Sequence, residues 1–319
     1  MSPISPSALP VLVARGFRCA VRAWKVLLVL LAVNALLALA LAFPIASALH
    51  ETLDPLPVAD AVVKGGETTF WDHFTRNRPD VLGNLGSFGS LFGAEPEAGG
   101  LLHLQGAAGS LLALGLLNAV IASIFAGGLA VRFADGSEKD SRSFAADAAR
   151  LALPSLALSV AAAAGIGGAW FVLFAAPSRL YDPGLLTFEW EAIVLALLRL
   201  SAFLVAAGLV RMAVLAARAT MGRSGKWNPF LALATGTGRV AGSPLRALSL
   251  EVTFGLLGLG PLVVWALAVP VWDGKDLAKL ALFVLAETLM VLWRILVRVA
   301  QLGAVSAWCG LGSSPPSAV

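Results

Sequence analysis

The chain has 319 residues, of which 58% are hydrophobic and 13% charged, with a mean hydropathy of +0.84. That balance excludes an ordinary soluble globular protein, in which about a quarter of residues are charged, and fits a polytopic membrane protein. The net charge of +4 is small, so no nucleic-acid partner is expected and the placement of charge matters more than its total.

The first apolar run starts after some twenty residues. It is too long for a signal-peptide core and lacks a cleavage site, so a retained helix is expected. Six segments reach the roughly 20 apolar residues that a span requires: Trp24–Leu49, Ala107–Val131, Leu151–Pro177, Ala192–Val210, Ala247–Val271 and Leu280–Arg298. The expected fold is therefore all-α, a polytopic membrane protein with six transmembrane helices and short interfacial amphipathic helices. Residues 1–23 form an N-terminal amphipathic segment, 24–310 the six-helix domain, and 311–319 a Gly-, Ser- and Pro-rich tail of disordered composition.

Lys and Arg set the orientation. Sixteen of the 23 fall on the side of the N-terminus, including Arg15, Arg18, Arg22, Arg132, Arg150, Arg211, Arg239, Arg294 and Arg298. Six fall opposite, at Lys64, Arg76, Arg78, Arg179, Lys275 and Lys279, and Arg199 lies within the fourth span. Both termini are therefore expected in the cytoplasm.

The spans repeat loosely in pairs. Leu12–Arg22, Phe144–Leu153 and Phe230–Arg239 each precede an odd-numbered span with arginines and apolar residues at helical spacing. The second and third units share an Arg, a Pro and an Ala-Leu-Ser, at Arg150, Pro154 and Ala157–Ser159 and at Arg239, Pro244 and Ala247–Ser249. This reads as three units of an interfacial helix and a transmembrane hairpin, with arginines toward lipid phosphate.

The external loop, residues 50–105, holds eight acids. Thr69-Phe70-Trp71-Asp72 predicts a helix start, and Phe70, Phe74, Val81 and Leu85 one amphipathic face.

Candidate chemistry is sparse. His50, His73 and His103 match no metal-ligand spacing and are read as solvated, so no metal is expected. Gly236-Thr237-Gly238-Arg239 lacks the preceding strand and the Lys-Ser/Thr end of a phosphate loop, and is read as a glycine-softened turn. No histidine lies within a span, so neither intramembrane protease chemistry nor any other catalytic set is found, and no cofactor is implied. Cys19 and Cys309 are read as free thiols. Small residues at Ala161–Gly168 and at Gly255, Gly258 and Gly260 suggest close packing of the third span on the fifth.

The intramembrane polar groups carry the most information, because each costs about 2.5–3.5 kcal/mol at a helix centre. Glu287, Arg294, Arg298 and Gln301 share one stripe of the last helix. Arg199 and Glu287 sit at matched depths of about 12 and 13 Å, at 1.5 Å per residue, and are expected to pair. Glu251 is expected to meet Arg294 or Arg298 nearer the cytoplasm. Asn34 and Asn118 fall near the midplane of consecutive spans and are expected to hydrogen-bond. These groups either brace the bundle or line a pathway.

Gly127–Phe144 (GGLAVRFADGSEKDSRSF) and Leu209–Leu233 (LVRMAVLAARATMGRSGKWNPFLAL) each lead an Arg-bearing helix exit into an amphipathic helix. In this the chain resembles bacterial six-helix membrane protein families related to the membrane domain found with some glycerophosphodiester phosphodiesterases. The resemblance implies an inner-membrane protein without assigned chemistry. The expected function is a non-enzymatic scaffold or accessory subunit of an envelope or transport assembly, with the lipid bilayer and other membrane proteins as partners. The competing expectation is a permease subunit working with a separate cytoplasmic ATPase.

Overall fold

The computed structural model describes residues 8–53, 107–135, 141–176, 189–225, 228–268 and 277–311. In chain order they form α1 (Ala8–Arg22), α2 (Trp24–Leu53), α3 (Ala107–Asp135), α4 (Ser141–Trp170), α5 (Glu189–Ser224), α6 (Pro229–Gly242), α7 (Pro244–Ala268) and α8 (Leu277–Leu311). A π-helical turn, Phe171–Ala175, continues α4, and there is no strand among the described residues. Leu-, Ala- and Val-rich sequence forms helix here because the helix satisfies every backbone donor and acceptor within the segment. The external-loop helix start at Thr69–Asp72, His73, His103 and the tail beyond Leu311 lie outside the described residues.

Helix boundaries follow local chemistry. α5 ends at Gly225, whose φ of 62° is the left-handed conformation that glycine adopts without a Cβ penalty. The Asn228 side chain then accepts hydrogen bonds from the Phe230 and Leu231 amides at 3.0 and 3.2 Å, with Pro229 at the first helical position, and α6 begins. Gly242-Ser243 breaks α6 from α7, which starts on Pro244.

Two of the three segments expected as short helices ahead of a span are separate elements. α1 meets α2 at a 74° bend, and α6 is distinct from α7. The second, Phe144–Leu153, runs straight on into α4 as one helix with Pro154 inside it. The difference is local: Arg150-Leu-Ala-Leu favours helix up to that proline, whereas Gly242-Ser243 does not. Gly236–Arg239 is likewise helix interior within α6 and not a turn.

Among the described residues four helices are long and apolar enough to cross a membrane, at Gly115–Ala134, Ser143–Ala175, Ile193–Ser224 and Pro244–Trp265, and the total is five if the bent pair α1 and α2 counts as one span. Leu280–Arg298 of α8, read from sequence as the sixth, is not among them. That stretch carries Glu287, Arg294 and Arg298.

The chain divides into two compact units. One comprises Val29–Ala119 and Val271–Leu280, and holds most of α2 and the start of α3. The other comprises Met1–Leu28, Val120–Pro270 and Ala281–Val319. In this second unit two helix segments are enclosed on nearly all sides. On α5, Met212, Ala213, Val214, Ala216, Ala217, Ala219 and Met221 are buried, and on α8 so are Val297, Val299–Ala300, Leu302, Ala304–Val305 and Trp308–Cys309. The Leu158, Val214, Ala217, Met221 and Ala232 side chains form one cluster joining α4, α5 and α6. Large apolar side chains elsewhere face outward, among them Leu197, Leu204, Leu256, Val264, Leu285 and Leu289.

Helices approach closest at glycines. A Cβ on Gly16 of α1 would strike the Ala300 carbonyl oxygen of α8, and one on Gly303 would lie 3.0 Å from the Cys19 Cβ. A Cβ on Gly236 of α6 would strike the Ala213 carbonyl oxygen and approach the Ala217 amide nitrogen to 2.8 Å. The expected packing of the third span on the fifth through small residues does not occur at these glycines. Gly165 faces Val210 of α5, Gly258 faces Val297 of α8, and Gly255 and Gly260 are open. Aromatic contacts add to the bundle, with Phe17 of α1 6.1 Å from both Phe254 of α7 and Trp293 of α8. The Trp293 indole N–H donates to the Leu257 carbonyl at 2.8 Å.

Candidate functional site

The polar groups inside the helix bundle gather at three places. At the first, the Glu251 carboxylate on α7 accepts from the Arg211 guanidinium on α5 at 2.8 Å and from the Gln301 amide on α8 at 2.5 Å. Gln301 also points its Nε2 at the Met212 sulfur, 3.8 Å away. Gln301 is 4% exposed, whereas the Glu251 and Arg211 side chains are 13% and 50% exposed. The carboxylate thus ties three helices together at the inner edge of the core, while the arginine reaches outward. Gly208, one turn before Arg211, leaves room for the Glu251 side chain: an added Cβ would lie 3.2 Å from its Cγ.

The second place joins α3, α4 and α5. The Arg218 Nη2 donates to the Ser159 hydroxyl at 2.6 Å and to the Ser155 carbonyl at 3.3 Å. The Ser159 hydroxyl meets that of Ser123 at 2.7 Å. No carboxylate answers Arg218 among the described residues. Hydroxyl and carbonyl dipoles solvate its charge instead, the arrangement expected where an ion cannot reach water.

The third place is the end of the unit formed by α1, the C-termini of α5 and α8, and α6. Here arginines close helix ends: Arg132 on the Arg22 carbonyl at 3.2 Å, Arg223 on Ser306 at 2.7 Å and Arg239 on Cys309 at 2.7 Å. Cations at C-terminal carbonyls satisfy orphan acceptors and complement the helix dipole. Burial raises the Cys309 thiol pKa above its ordinary value, against the smaller opposing influences of Arg239 and Arg223. Beside this end lies a cavity of about 230 Å³ lined by Arg15, Arg18, Cys19 and Arg22 of α1, Phe133 of α3, and Gly303 and Ala307 of α8. Among the described residues, no three His, Cys, Asp or Glu side chains converge as a metal site would require.

Against this geometry several expected pairs change. Glu251 is ionically paired, but with Arg211 and not with Arg294 or Arg298, both of which are exposed. Glu287 is also exposed, and no ion pair joins it to Arg199 among the described residues. Asn34 turns its amide back to its own helix, donating to the Leu30 carbonyl at 2.7 Å, and no hydrogen bond links it to Asn118 among the described residues. Of the polar stripe on α8, Gln301 is buried, whereas Glu287, Arg294 and Arg298 are exposed. Most of that helix is enclosed from Val297 onward, yet Arg298 within that stretch stays exposed, so position along the axis and position around it both decide burial.

Sequence reasoning counts Arg211 and Arg218 as cytoplasmic-side arginines and not as partners within the bundle, because it ends the fourth span at Val210. α5 continues to Ser224, and the signal was present: small and apolar residues persist through Met212–Gly222 with no turn former until Gly225.

No protein-family model, curated protein or solved structure matches the chain.

Proposed function

We propose that the chain is a non-enzymatic integral membrane protein of the bacterial inner membrane, a scaffold or accessory subunit of an envelope or transport assembly. In this reading α8 supplies the sixth span, its charged side chains Glu287, Arg294 and Arg298 lying at lipid-facing or protein-facing positions, and both termini are cytoplasmic. The supporting observation is how the polar groups are used. Glu251 is bound by Arg211 and Gln301, and Arg132, Arg223 and Arg239 close helix ends, so these groups brace helices. A transport pathway would instead present polar groups to a water-filled route through the bundle.

The permease reading draws on a separate feature. α6 is backed rigidly by α5 at Gly236 and exposes Phe230 to 81%, with Leu231 beside it. A short helix held this way could transmit movement to a cytoplasmic ATPase.

Purification of the tagged full chain in mild detergent, with Phe230→Ser and Glu251→Gln in parallel, separates the two. A scaffold keeps its membrane partners in Phe230→Ser, and Glu251→Gln alters only its thermal stability. Recovery of an ATPase with the parent protein, lost in Phe230→Ser, would replace the scaffold by the permease.

A further inference from the structure

Beyond the bracing role, the cavity beside α1 has the composition of a binding site. Arg15, Arg18 and Arg22 lie at helical spacings of three and four, so all three share one side of α1 and line one cavity. Among the described residues none of the three side chains has an ion pair, and no carboxylate lines the cavity. The negative end of α1 is answered separately, because Arg132 donates to the Arg22 carbonyl. This adds a fourth guanidinium to the same corner. Cations gathered on one helix face repel one another and favour a bound anion.

The opposite wall is apolar. Phe133, Gly303 and Ala307 supply no acid and little hydrogen bonding, while Gly16 and Gly303 hold α1 tightly against α8 and so fix where the arginines stand. Val11, Val21 and Trp24, next to the cavity in sequence, are exposed. A mixed lining of this kind, with three arginines on one side and an apolar wall on the other, suits a phosphate ester whose organic part lies in an apolar phase.

We propose that the cavity lined by Arg15, Arg18, Arg22, Phe133, Gly303 and Ala307 binds a phosphate ester, that of an anionic phospholipid headgroup from the adjacent leaflet. Guanidinium groups take the phosphate oxygens, and the acyl chains leave past Val11, Val21 and Trp24. The site rests on the chain lying in a membrane and does not depend on the scaffold role, whose test above reads partners and not lipid.

Cys19 is a built-in reporter, since it lines the cavity and the other thiol, Cys309, is buried. The full chain is placed in nanodiscs of phosphatidylcholine, with or without phosphatidylglycerol, and the rate of Cys19 alkylation by N-ethylmaleimide is measured. Phosphatidylglycerol is expected to slow alkylation. Each single change Arg15→Gln, Arg18→Gln or Arg22→Gln should weaken that protection about fivefold, the effect of one basic residue near an anionic surface. Protection of phosphatidylcholine discs by added glycerol phosphate would retain the phosphate site and assign it to a soluble ester. Equal rates in both disc types, with no effect of glycerol phosphate, would overturn the proposal. So would protection that survives all three substitutions together. Native mass spectrometry of the parent protein is a second measurement that requires no variant: a retained phosphatidylglycerol adduct supports the site, and its absence from protein taken from phosphatidylglycerol discs counts against it.

Discussion

At the residue scale, the Glu251 node is asymmetric, and that asymmetry predicts which partner matters. Arg211 is half exposed and can turn toward water or headgroups, so its ion pair contributes about 0–1 kcal/mol. Gln301 is enclosed, and among the described residues the other partner of its amide is a distant sulfur, so losing the carboxylate leaves a buried donor unsatisfied at a cost of about 1–3 kcal/mol. Glu251→Ala should therefore lower the unfolding temperature of the detergent-solubilised protein more than Arg211→Ala does; equal losses would place the energy in the ion pair instead. Cys309 predicts a pH dependence. Its folded pKa lies above the unfolded one, so the unfolded chain ionises first as pH rises. The contribution of the thiol to stability is intact below the ordinary thiol value and is lost as pH rises through the folded value. Thermal melts across the alkaline range should show that decline in the parent and a smaller one in Cys309→Ala.

Elements meet through backbone contacts that only glycine permits, and α6 contains both a required glycine and a dispensable one. Gly236 lies against the α5 backbone at Ala213 and Ala217, whereas nothing lies within 4 Å of a Cβ at Gly238. Gly236→Ala must push two helices apart and is expected to destabilise by about 1–3 kcal/mol. Gly238→Ala should be neutral or stabilise by about 0.5–1 kcal/mol, because alanine loses less backbone entropy in a helix. Differential scanning fluorimetry of the two variants measures the difference; similar melting temperatures would mean that α6 is not seated on α5. The same scale explains the partial repeat. Three sequence units with similar composition give two free-standing short helices and one fused helix, because a helix break depends on a few residues such as Gly242-Ser243 and not on the unit as a whole.

For the whole molecule, Lys and Arg asymmetry makes a prediction that needs no coordinates. With Lys64→Cys and Asp140→Cys introduced singly, an impermeant maleimide applied to intact cells should label position 64 and reach position 140 only after permeabilisation. The reverse pattern would invert the protein in its membrane. Composition and apolar run length alone determined that the chain is helical and where its long helices lie, since a backbone in an apolar phase has to bond to itself. They also located Glu251 and Gln301 as polar groups that the fold must answer. What tertiary structure decided was the partner of each. Arg211 reaches Glu251 because α5 runs on past Val210, and Asn34 bonds to its own helix although Asn118 lies at a similar expected depth. Depth along a helix is readable from residue count. Which neighbour stands beside it, and whether that stretch is enclosed or open, is set by helix-to-helix packing, and a single helix's sequence does not encode it.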